Sequence, residues 1–151
     1  REDGPMILDK LIAVAEAHRN DAPNLLKVAD HFRNSLYDLD THCHKEEQVL
    51  YPYIMEMWRA HDLGQQVAAF HCGSIQGPIQ VMMADHDDEL ARHARIAELT
   101  NNYTAPAEAD EDWREVLGLL RDFRAALEEH TAMENEVVFP MSLKLEQLAV
   151  E

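Results

Sequence analysis

Apolar residues recur at three- and four-residue spacing along four stretches of this 151-residue chain, the signature of amphipathic helices. In the first, Pro5 to Arg19, the stripe is Leu8, Leu11, Ile12 and Ala15, and His18 continues it. Asn20-Asp21-Ala22-Pro23 reads as a turn and helix start. From Leu25 a longer stripe runs through Val28, Phe32, Leu36, Leu39, His42, Glu46, Val49, Tyr53 and Met57. Pro52 falls inside that pattern and should kink the second helix or restart it. Between His61 and Gly77 the periodicity loosens, with Gly64, Gly73 and Gly77 as punctuation and a short helix expected around Gln65 to Phe70. Pro78 reads as the first residue of a third helix, whose stripe is Ile79, Met82, Met83, His86, Leu90, His93 and Ala97, ending near Thr100. Asn101 to Asp112 reads as a loop that caps the fourth helix, with the stripe Trp113, Val116, Leu117, Leu120, Phe123, Leu127, His130, Glu134, Val138 and Met141, interrupted by Pro140. With no strand signal and mostly short connections, the pattern predicts an all-α fold: one domain over residues 1–151, an antiparallel up-down-up-down four-helix bundle.

Three of these stripes carry polar residues where core residues belong. His42 to Pro52, HCHKEEQVLYP, returns as His130 to Pro140, HTAMENEVVFP: His, three residues, Glu, two residues, an apolar pair, an aromatic and Pro. A His and a Glu four apart lie one above the other on a helix, so an imidazole nitrogen and a carboxylate can converge on one ion. A chain this rich in His and Glu gives roughly one such spacing by composition alone. The repeated aromatic and proline at the same offset are what composition does not explain.

Charge narrows the function. With 29 acidic against 13 basic residues and a net charge of -16, the chain lacks the basic surface that nucleic acid or an anionic membrane demands. Solvated acidic helix faces give the same balance as a cation-binding role. No apolar run approaches the ~20 residues that span a bilayer, and no signal-peptide pattern opens the chain. Cys43 and Cys72 form neither a CxxC motif nor a disulfide framework, so reduced thiols and a cytoplasmic setting are expected. The chain begins with Arg1 rather than Met, and residues upstream are expected.

Counting along the helices tests whether the polar residues meet. His130 lies about 18 residues, roughly 27 Å, beyond the last loop, and His86 about 15 residues before it. His42 and His86 are similarly matched across Pro52 and Pro78. The second, third and fourth helices therefore present His42, Glu46, His86, His130 and Glu134 to one slice of the core. Buried carboxylates are paired or bind metal, and the competing reading is a set of core-edge groups satisfying one another. On the first helix the matching level falls near or just upstream of Arg1, so a further ligand, a His, is expected before residue 1. His18 is too close to its turn and reads as a core or helix-end histidine. His93, two turns from His86, reads as core or as a support behind the ligands. His31, His44, His61 and His71 read as surface or structural, and Met82, Met83 and Met141 as core filler.

Imidazole and carboxylate donors without thiolates suit iron, manganese or zinc, and two carboxylates able to bridge favour a di-iron centre. Neither the ferritin-like Glu-x-x-His nor the zinc-protease HExxH is present. With these residues the chain resembles the hemerythrin-like domain of the iron-sulfur cluster repair di-iron proteins, a bacterial group tied to nitric oxide and oxidative stress. The resemblance runs from about Pro5 to Pro140. It is densest at His42 with Lys45 to Pro52, at Gly77-Pro78-Ile79 leading to His86-Asp87, at Thr100-Asn101-Asn102, and at His130 with Glu134-Asn135 to Phe139-Pro140. It implies that His42, His86 and His130 bind two non-haem irons and that Glu46 and Glu134 bridge them, with an oxo or hydroxo bridge between the ions. The family's N-terminal domain with adjacent cysteines is not visible here, and Leu90 stands where oxygen-carrying hemerythrins bring a second His on the third helix.

The resemblance implies repair or protection of iron-sulfur clusters, by binding or reducing nitric oxide or by donating iron, with a diatomic ligand and iron-sulfur proteins as partners. Whether the chain turns over nitric oxide as an enzyme is left open. The alternative is an oxygen- or redox-sensing, or oxygen-binding, module without turnover.

Overall fold

The computed structural model describes residues 3–64 and 74–150. The short helix expected around Gln65 to Phe70 lies outside them, as do His71 and Cys72. The described residues form α1 (Asp3–Ala17), α2 (Asn24–Lys45), a π-helical turn (Glu46–Leu50), α3 (Tyr51–Asp62), α4 (Gln76–Leu99), α5 (Glu111–Met133), a second π-helical turn (Glu134–Val138) and α6 (Phe139–Val150). No strand occurs among the described residues, and no described helix is long and apolar enough to cross a membrane. The chain divides into two compact units, Arg1–Leu39 with Asp88–Glu128, and Asp40–Asp87 with Glu129–Glu151.

The first unit is built on a conventional apolar core. The helical spacing of Ile7, Leu11 and Val14, of Leu25, Val28 and Phe32, and of Trp113, Val116, Leu117 and Leu120 puts each set on one face, and all are buried together with Ile96. Each such side chain contributes about 1.5–3 kcal/mol by leaving water. Gly4 lets α1 come close to α2, since a Cβ there would meet Leu36 Cδ2 at 2.6 Å. Pairs from Lys10 to Glu115 and from His18 to Asp110 show α1 and α5 running antiparallel.

Local chemistry sets the ends of these helices. The Asp110 carboxylate accepts the Trp113 N–H at 2.9 Å and caps α5 two residues earlier than the stripe suggests. His18, just past the end of α1, bonds Asp21 at 3.1 Å and Asp110 at 3.0 Å and lies against Trp113. Beyond α4, Asn101, Asn102 and Tyr103 all have positive φ (50, 56 and 61°). Asn enters this region readily and Tyr rarely. Tyr103 is held there by Thr100 Oγ1, which accepts its N–H at 3.1 Å.

In the second unit the prolines act differently from the expected kink. A proline ring clashes with the carbonyl four residues back. In both copies of the repeat the turn ahead of the proline widens instead: Tyr51 N–H donates to the Glu46 carbonyl and Phe139 N–H to that of Glu134, five residues back. The helix continues, but the extra residue rotates every later side chain about its axis. Leu50 and Ile54 therefore take the inward positions expected of Val49 and Tyr53, and Val49 is 42% exposed. Likewise Phe139, Ser142 and Leu145 turn inward while Met141 is 49% exposed, so Met141 is not core. Met83 is also exposed, because Met82 takes the inward position on that turn of α4.

The helix α4 starts at Gln76, two residues ahead of Pro78, which is still within the first turn where no N–H is missed. Its start is tied down by Glu146 of α6, whose two oxygens accept the Ser74 hydroxyl at 2.6 Å and the Ile75 N–H at 2.8 Å. With His86 bonding Asn135 in the second π turn, these contacts show α4 antiparallel to the helix that this turn and α6 make up, as an up-down-up-down bundle requires.

Candidate metal centre

The last two turns of α2 bring His42 inward, and the first π turn opens on Glu46. α4 supplies His86, and the second π turn opens on Glu134. All four belong to the second unit and are at most 4% exposed. One ligand atom from each lies within 4.8 Å of the others, the one such group among the described residues. His42 Nε2 is 2.7 Å from Glu46 Oε1, His86 Nε2 is 3.0 Å from Glu134 Oε1, and the two Nε2 atoms are 3.1 Å apart.

The ring nitrogens on the far sides are held from behind. His42 Nδ1 lies 3.2 Å from Asp85 Oδ2, and His86 Nδ1 lies 2.8 Å from Asn135 Oδ1. With the protons assigned to Nδ1 by these acceptors, each Nε2 lone pair is turned toward the cluster, the arrangement that backs metal-binding histidines. Phe139 stacks on His86, with centroids 6.0 Å apart and planes 9° from parallel, and fixes the ring's orientation.

The electrostatics separate the two carboxylates. Burial, with Glu134 beside it, pushes Glu46 above the usual carboxylate range. Glu134 is equally enclosed, yet its contacts with His86, Glu46 and Tyr51 outweigh that burial and hold it well below the range. His42 is raised, because Glu46 and then Asp85 outweigh the desolvation of its charged form. Oε1 of Glu46 and Oε1 of Glu134 are both buried and unbonded, close to imidazole nitrogens but not aligned with a proton. Two bare carboxylate oxygens and two imidazole nitrogens facing one small volume are donors in want of a cation, and hard oxygen with borderline nitrogen suits iron or its neighbours.

His130 departs from the expected arrangement. Its Nε2 is 3.2 Å from Glu134 Oε1, but its side chain is 59% exposed, so it stands at the rim rather than on the buried face. Leu127, Thr131 and Glu134 take the inward positions on those turns. His93 is fully buried in the first unit, against Ser35, Phe32 and Phe123. His44 and His61 are exposed, and His31 is half-buried. Cys43 is a half-buried free thiol.

Three supporting residues escaped the sequence reading. Asp85 and Asn135 adjoin His86 and Glu134 in the chain, and only the packing of α4 against α2 and the second π turn reveals their targets. Tyr51 is the aromatic of the repeat itself; its hydroxyl donates to Glu134 Oε2.

Comparison with known proteins agrees with this site. The hemerythrin HHE cation binding domain matches residues 6–142. The chain is 32% identical over 144 residues to proteins named iron-sulfur cluster repair protein YtfE in Musicola paradisiaca and Citrobacter koseri, and 31% identical to that of Escherichia coli O1:K1. In each case 95% of this chain is covered, and it spans 59% of the relative's length. A fold all of helices, a matched stretch reaching from α1 into α6 and a buried His/Glu cluster agree on one assignment: the chain belongs to the hemerythrin HHE cation-binding domain family.

Proposed function

We propose that this chain is the di-iron domain of a cytoplasmic iron-sulfur cluster repair protein acting under nitrosative and oxidative stress. The observation that carries the proposal is the pair of orphaned carboxylate oxygens facing His42 and His86 inside the protein. His42, His86 and His130 would hold two irons, with Glu46 and Glu134 bridging them and offsetting their charge. When bound, the irons supply reversible one-electron chemistry and open positions for a diatomic ligand such as nitric oxide or dioxygen. The protein's own part is to keep the donors dry and aimed: Asp85 and Asn135 orient the imidazoles, and Phe139 closes one face of His86. The names of the relatives, and the absence of thiolates from the cluster, support iron-sulfur repair over a zinc role.

Two measurements test it. Anaerobic reconstitution with ferrous iron should give two irons per chain, and a stoichiometry near zero would overturn the proposal. Nitric oxide is then added to the diferrous protein, with optical and infrared spectra and a search for nitrous oxide. Nitrosyl bands or nitrous oxide support repair or detoxification, whereas tight reversible oxygen binding with no nitric oxide chemistry would overturn it in favour of a sensing module.

A further inference from the structure

The internal repeat makes the two halves of the centre comparable position by position, and at the shared aromatic they differ by a single oxygen. Glu46 corresponds to Glu134, Pro52 to Pro140, and Tyr51 to Phe139. Phe139 can only pack, and it lies flat against His86. Tyr51, half-buried at the start of α3, carries a hydroxyl that donates to Glu134 Oε2, with Glu46 a weaker neighbour. The other Glu134 oxygen, Oε1, has no hydrogen-bond partner and lies 3.0 Å from His86 Nε2 and 3.2 Å from His130 Nε2.

We propose that Tyr51 is a positioning residue of this centre: by taking one oxygen of Glu134 it turns the other toward His86 and His130, so that the two repeat-related glutamates serve different metal positions differently. The proposal rests on the di-iron reading above. A carboxylate on a flexible side chain samples several rotamers, and ordering it opposes binding. A hydroxyl that holds Glu134 before the ion arrives removes part of that cost, and most of it for the position that Oε1 faces. Glu46 has no tyrosine in the repeat-equivalent place. The centre therefore fills in two unequal steps, with the His86, His130 and Glu134 position the tighter.

The test uses cobalt(II) as an optical probe, added anaerobically to the metal-free chain and followed by its visible absorption and by calorimetry. Wild type should load in two resolved steps. Tyr51→Phe installs the residue that the repeat already tolerates at Phe139, and it should weaken the tighter step by roughly 10-fold or more. It should also alter the visible band of that step while leaving the weaker step in place. A mere packing defect would not single out one step. In a Glu134→Gln background, Tyr51→Phe should have no additional effect, because its action passes through that carboxylate. Should Tyr51→Phe not fold, a single-step wild-type titration or a Glu134→Gln chain that still loads in two steps would overturn the proposal. Unchanged affinities and bands in Tyr51→Phe would overturn the role of Tyr51 alone. A wild-type chain that takes up no cobalt overturns the metal reading itself.

Discussion

Ser35 and His93 share a buried hydrogen bond of 2.9 Å in the first unit, and its direction is set by a third group. The serine hydroxyl donates to Glu89 Oε2 at 2.6 Å, so its oxygen accepts from His93 Nε2–H. Both residues are fully buried, and Glu89 is 3% exposed. Ser35→Ala should therefore destabilise the chain by about 1–3 kcal/mol in urea denaturation, since it leaves a buried imidazole and one oxygen of Glu89 without a partner, while the other oxygen keeps Arg92. A loss below ~0.5 kcal/mol would mean that the cluster is not a structural element.

The same imidazole predicts a pH dependence. Burial, with the charges of Arg124 and Arg92 nearby, pushes His93 from its ordinary 6.5 down to about 4. Between those values the unfolded chain binds the proton and the folded chain does not. Stability from this group is thus complete above pH 6.5 and lost as pH falls toward 4, by about 3 kcal/mol in all. Chemical denaturation of wild type and His93→Gln from pH 7 to pH 4.5 checks this. The wild type should lose more stability than the variant, and parallel curves would refute the assignment.

The widened turns make a prediction about register. Leu50 is 2% exposed and its neighbour Val49 is 42% exposed, the reverse of an uninterrupted 3.6-residue period. Leu50→Ala should cost about 2–5 kcal/mol of stability, as large-to-small core changes do. Val49→Ala should cost less than ~1 kcal/mol. Thermal or urea unfolding of the two variants measures the difference, and equal losses would rule out the π turn.

Removing the two carboxylates separates metal binding from packing. Glu46→Ala together with Glu134→Ala should abolish iron uptake in elemental analysis after anaerobic reconstitution. The metal-free variant should keep its helical circular dichroism, so that lost iron reports lost donors and not a lost fold. Iron content at the wild-type level would remove these residues from the centre.

Much of this arrangement was legible in the chain. The polar interruptions at His42, Glu46, His86 and Glu134 sat on helical stripes whose buried sides periodicity fixes, and counting from the turns put them at one level. His130 sat on the same stripe, yet it stands at the rim: periodicity assigns a face but cannot say which of His130 and Thr131 takes the inward position. Pro52 and Pro140 announced a disturbance, but a kink and a widened turn leave the same letters, so the positions of Val49, Tyr53 and Met141 came out rotated. Asp85, Asn135 and Tyr51 act across helices, and no spacing within one helix encodes a partner on another.

The π turns also fix how the repeated segment tolerates change in length. Each works as a one-residue shim between Glu46 or Glu134 and the proline that follows. Excising Gln48 would let the turn wind back to ordinary pitch, and the two changes cancel: Leu50 and Ile54 each move up one place in the count, into the positions that an uninterrupted period points inward. A residue deleted beyond the turn, between Pro52 and Met57, meets no such slack and would swing everything after it by about 100° around the helix axis. The repeated segment can thus shed one residue at the shim and nowhere else.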